Sequence, residues 1–252
     1  MQSRRRFLAA AGAALVTGCS SDGGPRLPYQ NEKLAIDKRV EDLLGRMTAE
    51  ERVALVQSVT HNVSYANARL GIPALHPVTP KISEIALAAT WNPELATREG
   101  QRVAQDAVAH GHAQLLGPTV QDYGEDPWLA SRMTVATVSG IQGQGVIATA
   151  QRLPASGSTA DERALQERQL PAFEAAVEEA GVWSVTASSD DAHLVKDILR
   201  GQWGFKGFVV YPPDSKNHAS ASADSPDDDA RGILRAMLAC GLFDRKPVAG
   251  PH

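Results

Sequence analysis

The sequence predicts an α/β fold, an incomplete (β/α)8 barrel of the TIM type with roughly six parallel strands. Short apolar runs alternate with amphipathic helical segments, which is typical of a parallel sheet covered by helices. The chain has 252 residues, and barrels of this type usually have about 250. Because roughly six strand candidates fall short of the eight that close a barrel, we expect an incomplete one.

Composition and charge exclude several classes of protein. Hydrophobic residues make up 43% of the chain and charged residues 21%, as in globular domains. The formal net charge of −4 gives no reason to expect a nucleic-acid partner. Two cysteines cannot build a disulfide framework or a thiolate zinc cluster, and we expect no metal and no other cofactor.

The first residues are typical of an export signal. Arg4–Arg6 followed by Phe7-Leu8 match the twin-arginine pattern of the Tat route, and the apolar run Ala9–Val16 is too short to span a bilayer. The segment that ends at Cys19 resembles a bacterial lipobox, which makes Cys19 the acylated lipid anchor. The alternative is a buried N-terminal helix, into which three adjacent arginines fit poorly.

These signals divide the chain into three parts. Residues 1–18 are predicted to be a Tat-type lipoprotein signal peptide, residues 19–35 a tether, and residues 36–246 the barrel domain. We therefore expect an exported protein that is anchored in the membrane by its lipid or lies outside the cytoplasm. The sequence leaves its oligomeric state open.

Helix signals recur along the domain. Thr48-Ala49-Glu50-Glu51 forms a capping box, and Asn92-Pro93 and Asp126-Pro127 each place a capping side chain before a proline at the first helical position. Together with the apolar periodicity they give seven helices. These are Ile36–Met47, Thr48–Val56, Asn92–Ala109, Asp126–Gly140, Asp161–Ala180, His193–Arg200 and Ala230–Leu242.

The strand candidates are short apolar runs between turn residues. They are Ile72–Leu75, Ile85–Ala88, Leu115–Leu116, Val146–Thr149, Trp183–Thr186 and Gly207–Val210. The stretch Asp214–Asp229 has almost no apolar residue, and we predict a solvated loop or linker there. Its acidic run at 227–229 offers ligands for a divalent cation, but we expect it to complement the dipole at the start of the last helix and to stay solvated.

Eight blocks in order between about residue 36 and residue 246 resemble the N-terminal barrel of glycoside hydrolase family 3. They are Leu70–Leu75, Ala86–Leu95, Leu116–Pro118, Tyr123–Pro127, Gly140–Ala150, Asp161–Val177, Ile198–Val210 and Ile233–Asp244. The family contains retaining β-glucosidases, β-xylosidases and β-N-acetylhexosaminidases. The resemblance therefore implies hydrolysis of a β-linked small-molecule or oligosaccharide glycoside.

The resemblance also implies where the nucleophile belongs. In the family it is an aspartate in a Ser-Asp-Trp context, just after the Gly-Phe-Val-Val strand. Here Pro212 takes that place, and Asp214 follows two residues later as the candidate catalytic carboxylate. A retaining mechanism needs a nucleophile and a general acid/base on either side of the glycosidic bond. The alternative is that Asp214 is a loop carboxylate at the start of the acidic linker.

Other family positions also differ. The Lys-His pair that holds sugar hydroxyls is replaced by Gln151-Arg152, and Ser156 replaces the histidine of the Pro-Gly-His-Gly loop. The acid/base glutamate of two-domain members lies in a domain that the 252 residues do not include. Two functions follow. One is an exported, β-glucosidase-like hydrolase that uses Asp214, and the other is an inactive relative that binds a glycan or an envelope partner.

Two further residue groups have structural interpretations. His110 and His112 offer two metal ligands, but no third ligand lies at a recognisable spacing, so a helix end is expected there. Cys240 lies in an apolar helix and is expected in the core.

Overall fold

The computed structural model describes residues 27–60, 65–154, 162–187, 193–211 and 226–244. Within these ranges the fold is α/β, with a sheet of five parallel strands whose spatial order follows the chain. The strands are β1 (Pro77–Val78), β2 (Gln114–Leu115), β3 (Ile147–Leu153), β4 (Ser184–Ala187) and β5 (Phe208–Val210). β3 is the longest strand and lies in the centre of the sheet.

Eight α-helices lie in the described ranges. They are α1 (Ile36–Arg46), α2 (Ala49–Thr60), α3 (Glu84–Thr90), α4 (Pro93–Ala109), α5 (Pro127–Gln142), α6 (Glu162–Ala164), α7 (Pro171–Glu178) and α8 (Pro226–Ala239). Short 3-10 helices occupy Pro28–Gln30 and Val120–Tyr123, and π-helical segments occupy Leu165–Gln169 and His193–Gln202. No helix in this part of the chain is both long and apolar enough to cross a membrane.

Two of the strand predictions are wrong. The run Ile85–Ala88 lies inside α3, because Ser83 caps that helix by accepting a hydrogen bond from the Ala86 amide at 3.4 Å. A short apolar run has no periodicity that separates a strand from a helix, and here the cap decides. Ile72 forms only an isolated bridge with Asn67, and the first strand begins five residues later.

The helix predicted over 161–180 is interrupted. Its described part consists of α6, the π-helical segment Leu165–Gln169 and α7, which begins at Pro171. Proline has no amide hydrogen to donate and its ring crowds the preceding turn, so the helical hydrogen bonding is broken at this residue. Pro171 therefore starts a new helix, as prolines do at a first helical position.

The last helix begins earlier than predicted. α8 starts at Pro226, so Asp227 and Asp229 lie in its first turn rather than in a solvated linker. Asp227 pairs with Arg52 of α2 at 2.9 Å, and Asp229 pairs with Arg200 at 3.0 Å. Acidic residues stabilise a helix N-terminus, and these two also join α8 to neighbouring helices.

The packed domain includes residues before 36. Tyr29 is 2% exposed, and its hydroxyl donates a hydrogen bond to the Leu70 carbonyl at 3.0 Å. The backbone carbonyl of Tyr29 accepts from the Arg39 side chain at 2.8 Å. Residues 27–35 therefore belong to the domain, and the tether remains a prediction for residues 19–26, which lie outside the described residues.

Two apolar clusters enclose the sheet. In the first, α4, α5 and α7 pack on one face of the strands, with Ala148, Val185 and Val209 from the sheet. In the second, α1, α2 and α8 pack around residues at the beginnings of strands, including Ile147 and Phe208. The carboxyl ends of the strands lie at the other end of the sheet, where parallel α/β sheets usually bind their ligands. We call the residues at these carboxyl ends, 79–81, 116–123, 151–153, 186–187 and 211, the mouth.

Two glycines allow α4 and α5 to touch through their backbones. A Cβ atom on Gly100 would lie 2.5 Å from the carbonyl oxygen of Thr137 in α5. A Cβ atom on Gly140 would overlap the carbonyl oxygen of Thr97 in α4. Neither neighbour is a side chain that can turn away, so the close approach depends on the two glycines.

We predict that Gly140→Ala lowers the free energy of unfolding by about 1–3 kcal/mol, because the added methyl group forces α4 and α5 apart. Urea unfolding followed by circular dichroism measures this. The matched control is Gly45→Ala, since Gly45 lies in α1 with nothing within 4 Å of an added Cβ. The control should be stabilising by up to about 1 kcal/mol, and a Gly140→Ala chain as stable as the unchanged one would contradict the packing.

Candidate functional site

The mouth is the part of the fold where ligands of parallel α/β sheets usually bind. β2 leads there into Leu116-Gly117-Pro118 and the 3-10 helix Val120–Tyr123. An isolated parallel bridge between Thr119 and Gln151 extends the pairing of β2 with β3 up to this level. The mouth is therefore built mainly by the ends of β2, β3 and β4.

A β-bulge shapes the end of β3. Ala150 pairs with Val185, and the next pair is Leu153 with Ala187, so two residues of β3 stand opposite one of β4. The two residues opposite Thr186 are Gln151 and Arg152, and Arg152 has a φ of 67°. A non-glycine residue rarely adopts this left-handed conformation. Bulges occur beside active sites, where they redirect a side chain.

Four hydrogen bonds hold the bulge in place. On the β2 side, the Gln151 amide donates to the Pro118 carbonyl at 2.8 Å, and the Gln151 side chain donates to the Leu116 carbonyl at 2.6 Å. On the β4 side, the Arg152 amide donates to Oγ1 of Thr186 at 2.7 Å. The Gln121 side chain donates to the carbonyl of Arg152. Both polar groups of the strained backbone therefore have partners.

The Arg152 side chain extends toward solvent at the mouth. It is 65% exposed, and its guanidinium lies 3.6 Å from the carboxylate of Asp122, which is 43% exposed. Strong charge-assisted pairs are shorter, about 2.7–2.9 Å. This exposed pair therefore contributes little to stability.

The other carboxylates around this region have partners within the protein. Glu84 accepts a hydrogen bond from the Thr119 amide at 2.9 Å, and Asp126 caps α5 by accepting from the Leu129 amide at 2.8 Å. Glu125 lies 3.4 Å from Arg168. Each carboxylate has a structural contact, and the capping role predicted for Asp126 is confirmed.

Tyr123 is a structural residue rather than an acid or base. Its side chain is buried, and its hydroxyl lies 2.7 Å from Oγ1 of Thr137. Burial raises the pKa of the Tyr123 hydroxyl, because the charged phenolate would lose its hydration. The group stays protonated at any physiological pH and joins the 3-10 helix to α5.

Several predicted site residues lie outside the described residues. These are Cys19, Ser156, Pro212 and Asp214. The last described residue before Asp214 is Tyr211, which is buried directly after β5.

His110 and His112 lie where α4 ends and turns through Gly111 toward β2, and both line a cavity together with Thr79, Pro80 and Lys81. Nδ1 of His110 is 2.8 Å from the Asp106 carbonyl, and Nδ1 of His112 is 3.0 Å from the His76 carbonyl. In the described part of the chain, no three His, Cys, Asp or Glu residues are placed to hold a metal. Cys240 is buried, as predicted.

The fold and the sequence blocks at the mouth both point to one family. Residues 77–242 match the glycosyl hydrolase family 3 N-terminal domain. The chain belongs to glycosyl hydrolase family 3. The match includes all five strands and every described residue of the mouth. The resemblance read from the sequence is thus confirmed.

Family 3 relatives named as β-glycosidases align with most of the chain. A β-xylosidase of Formosa agariphila is 36% identical over 71% of this chain and 32% of its own length. A β-glucosidase of Rhizobium radiobacter is 34% identical over 68% of this chain and 27% of its own length. The chain spans about a third of the length of these relatives.

Solved family 3 structures share the fold. A β-D-glucoside glucohydrolase of Trichoderma reesei aligns with a TM-score of 0.70 at 20% identity, over 84% of this chain and 42% of its own. The β-glucosidase DesR of Streptomyces venezuelae, solved in complex with D-glucose, aligns with a TM-score of 0.67 at 23% identity. The alignment covers 84% of this chain and 39% of the DesR chain. The α/β fold with an incomplete barrel is thus confirmed, with five strands in the described residues rather than roughly six.

The sequence marks Gln151-Arg152 as a departure from the family pattern, but it does not indicate which residues hold the backbone of Arg152. Gln121 and Thr186 hold the strained backbone of Arg152, and neither belongs to a motif of the sequence. The available signal was the replacement of the family Lys-His pair by Gln-Arg. The bulge became visible only in the pairing of β3 with β4.

We predict that Thr186→Val destabilises the protein by about 0.5–1.5 kcal/mol, because it removes the acceptor of the Arg152 amide. Chemical unfolding measures the loss. Thr186→Ser keeps the hydroxyl and should retain most of the stability. A Thr186→Val chain as stable as the unchanged protein would contradict the role of the hydrogen bond.

Proposed function

We propose that this chain acts on β-linked glycosides of the kind that β-glucosidases cleave, and that the glycoside binds at the mouth. The observation that carries the proposal is the family 3 match, which includes every described residue of the mouth. Relatives aligned over about 70% of the chain carry the names β-xylosidase and β-glucosidase. In barrels of this type the carboxyl ends of the strands hold the substrate.

Hydrolysis with retention requires a carboxylate that attacks the anomeric carbon and a second group that protonates the leaving oxygen. We propose Asp214 as the attacking carboxylate, because it follows β5 closely and Pro212 has no oxygen in its side chain.

Binding without hydrolysis is the second candidate function. It is favoured by Gln151, whose side-chain amide donates to the Leu116 carbonyl, at the position where the family has part of its sugar-binding pair. A hydrogen bond inside the protein at this place supports the mouth but supplies no reacting group. An inactive relative would keep the fold and the ligand and lose only the chemistry.

Release of nitrophenol from a panel of aryl β-glycosides separates the two functions. For a hydrolase that uses Asp214, we expect Asp214→Ala to reduce the rate to that of the uncatalysed reaction. Asp224→Ala is the matched control, since Asp224 lies in the same acidic stretch and should retain full activity. Equal background release by all three chains would contradict hydrolysis and leave the binding function, which calorimetry with the same glycosides tests directly.

We also propose that the protein is exported by the Tat route and anchored through an acylated Cys19. The support is the twin arginine, the short apolar run and the lipobox-like segment at the N-terminus. A single acyl chain binds membranes only marginally, and stable anchoring takes more than one. Lipidation at Cys19 must therefore attach several chains if it anchors the protein.

We predict that Cys19→Ala moves the protein from the membrane fraction to the soluble extracytoplasmic fraction, because the acylated thiol is lost. Arg4→Lys combined with Arg5→Lys keeps the charge and should leave the protein in the cytoplasm. Fractionation and immunoblotting of a bacterial host measure both outcomes. Membrane association that survives Cys19→Ala would exclude the lipid anchor.

A further inference from the structure

The strained end of β3 suggests which glycosides the mouth prefers. Arg152 combines a φ of 67° with a side chain that is 65% exposed at the mouth. Strained non-glycine residues are concentrated at functional sites, where the surrounding structure holds them in place. Here Thr186 and Gln121 supply that support from two sides of the bulge.

The support acts on the backbone and leaves the guanidinium available. Hydrogen bonds fix the amide and the carbonyl of Arg152, so the direction in which its side chain leaves the strand is set. A guanidinium carries five N–H donors. A single ion pair with Asp122 at 3.6 Å does not saturate them.

A guanidinium matches a carboxylate better than it matches a sugar hydroxyl. Its planar fork donates two parallel hydrogen bonds to the two oxygens of a carboxylate, and it is always charged. A neutral hydroxyl has one oxygen and no charge, so the fork gains less from it. The arrangement of Arg152 therefore favours a ligand that carries a carboxylate on its sugar.

We infer that Arg152 is a specificity-determining residue that directs the mouth toward acidic β-glycosides, in which the sugar carries a carboxylate, as in a β-glucuronide. Asp122 pairs with the guanidinium of Arg152 when no ligand is bound, and the sugar carboxylate takes the place of Asp122 when the glycoside binds. This inference rests on the proposed function, since it assigns a substrate class to the same mouth.

Calorimetric binding of methyl β-D-glucuronide and methyl β-D-glucoside to the purified full chain tests the inference. We expect the glucuronide to bind about tenfold more tightly, as one added charge-assisted pair implies. The preference should shrink at about 1 M salt, where exposed charges are screened. Equal affinities, or tighter binding of the glucoside, would overturn the inference while the proposed function stands. Binding of neither glycoside would overturn both.

Two variants separate ligand recognition from folding. Arg152→Gly removes the guanidinium and suits the left-handed backbone, so it should abolish the preference without lowering the melting temperature. Arg46→Gln removes an exposed arginine that pairs with Asp42 within α1, away from the mouth, and should keep the preference. A preference that survives Arg152→Gly, or that disappears in Arg46→Gln, would contradict the role of Arg152.

A third variant tests the competition with Asp122. Asp122→Asn keeps the size of the side chain but removes the charge that pairs with Arg152. Glucuronide binding should become tighter in this variant, and glucoside binding should stay unchanged. Weaker glucuronide binding would show that Asp122 supports the site rather than competes for it.

Discussion

The bulge in β3 is the constraint on which the mouth depends. β3 is the central strand and pairs with neighbours on both sides, so a change at its end is transmitted to β2 and β4. The left-handed conformation of Arg152 is costly by itself and persists because its carbonyl accepts a hydrogen bond from Gln121 and its amide donates one to Thr186. The positions of the loop after β2 and of the end of β4 are thereby linked to one strained residue.

The rest of the fold supports this arrangement from below. α1, α2 and α8 cover the beginnings of the strands, and the ion pairs of Asp227 and Asp229 attach the N-terminus of α8 to its neighbours. α4 and α5 cover one face through a contact that leaves no room for a Cβ atom at Gly100 or Gly140. In the described part of the chain, these contacts lie on the helix-covered face and at the beginnings of the strands, and the mouth lies at their opposite ends.

Much of the fold follows from the sequence because its signals are local. Caps and prolines fixed where α2, α4 and α5 begin, since each is a contact between a side chain and a nearby amide. The wrong strand at 85–88 and the interrupted helix at 171 came from apolar patterns that a single capping serine and a single proline override. Local periodicity contains no information about such single residues.

The site was less predictable than the fold. The dipeptide Gln151-Arg152 stood out against the family pattern, but its bulge depends on Gln121 and Thr186, which are distant in sequence and belong to different elements. The pairing register of neighbouring strands decides which side chains meet at the mouth, and a shift of one residue brings a different set of side chains together. A replacement at a family position therefore shows where the site lies, but the chemistry of the site depends on contacts that only the structure gives.

Photoaffinity labelling tests most directly whether the mouth binds a β-glycoside. An aryl β-glycoside that carries a diazirine is irradiated with the full chain, and the labelled peptides are identified by mass spectrometry. We expect labels on the segments 116–123 and 150–153, and we expect an excess of unlabelled glycoside to prevent them. Protectable labels confined to the helices that cover the beginnings of the strands, α1, α2 and α8, would contradict binding at the mouth.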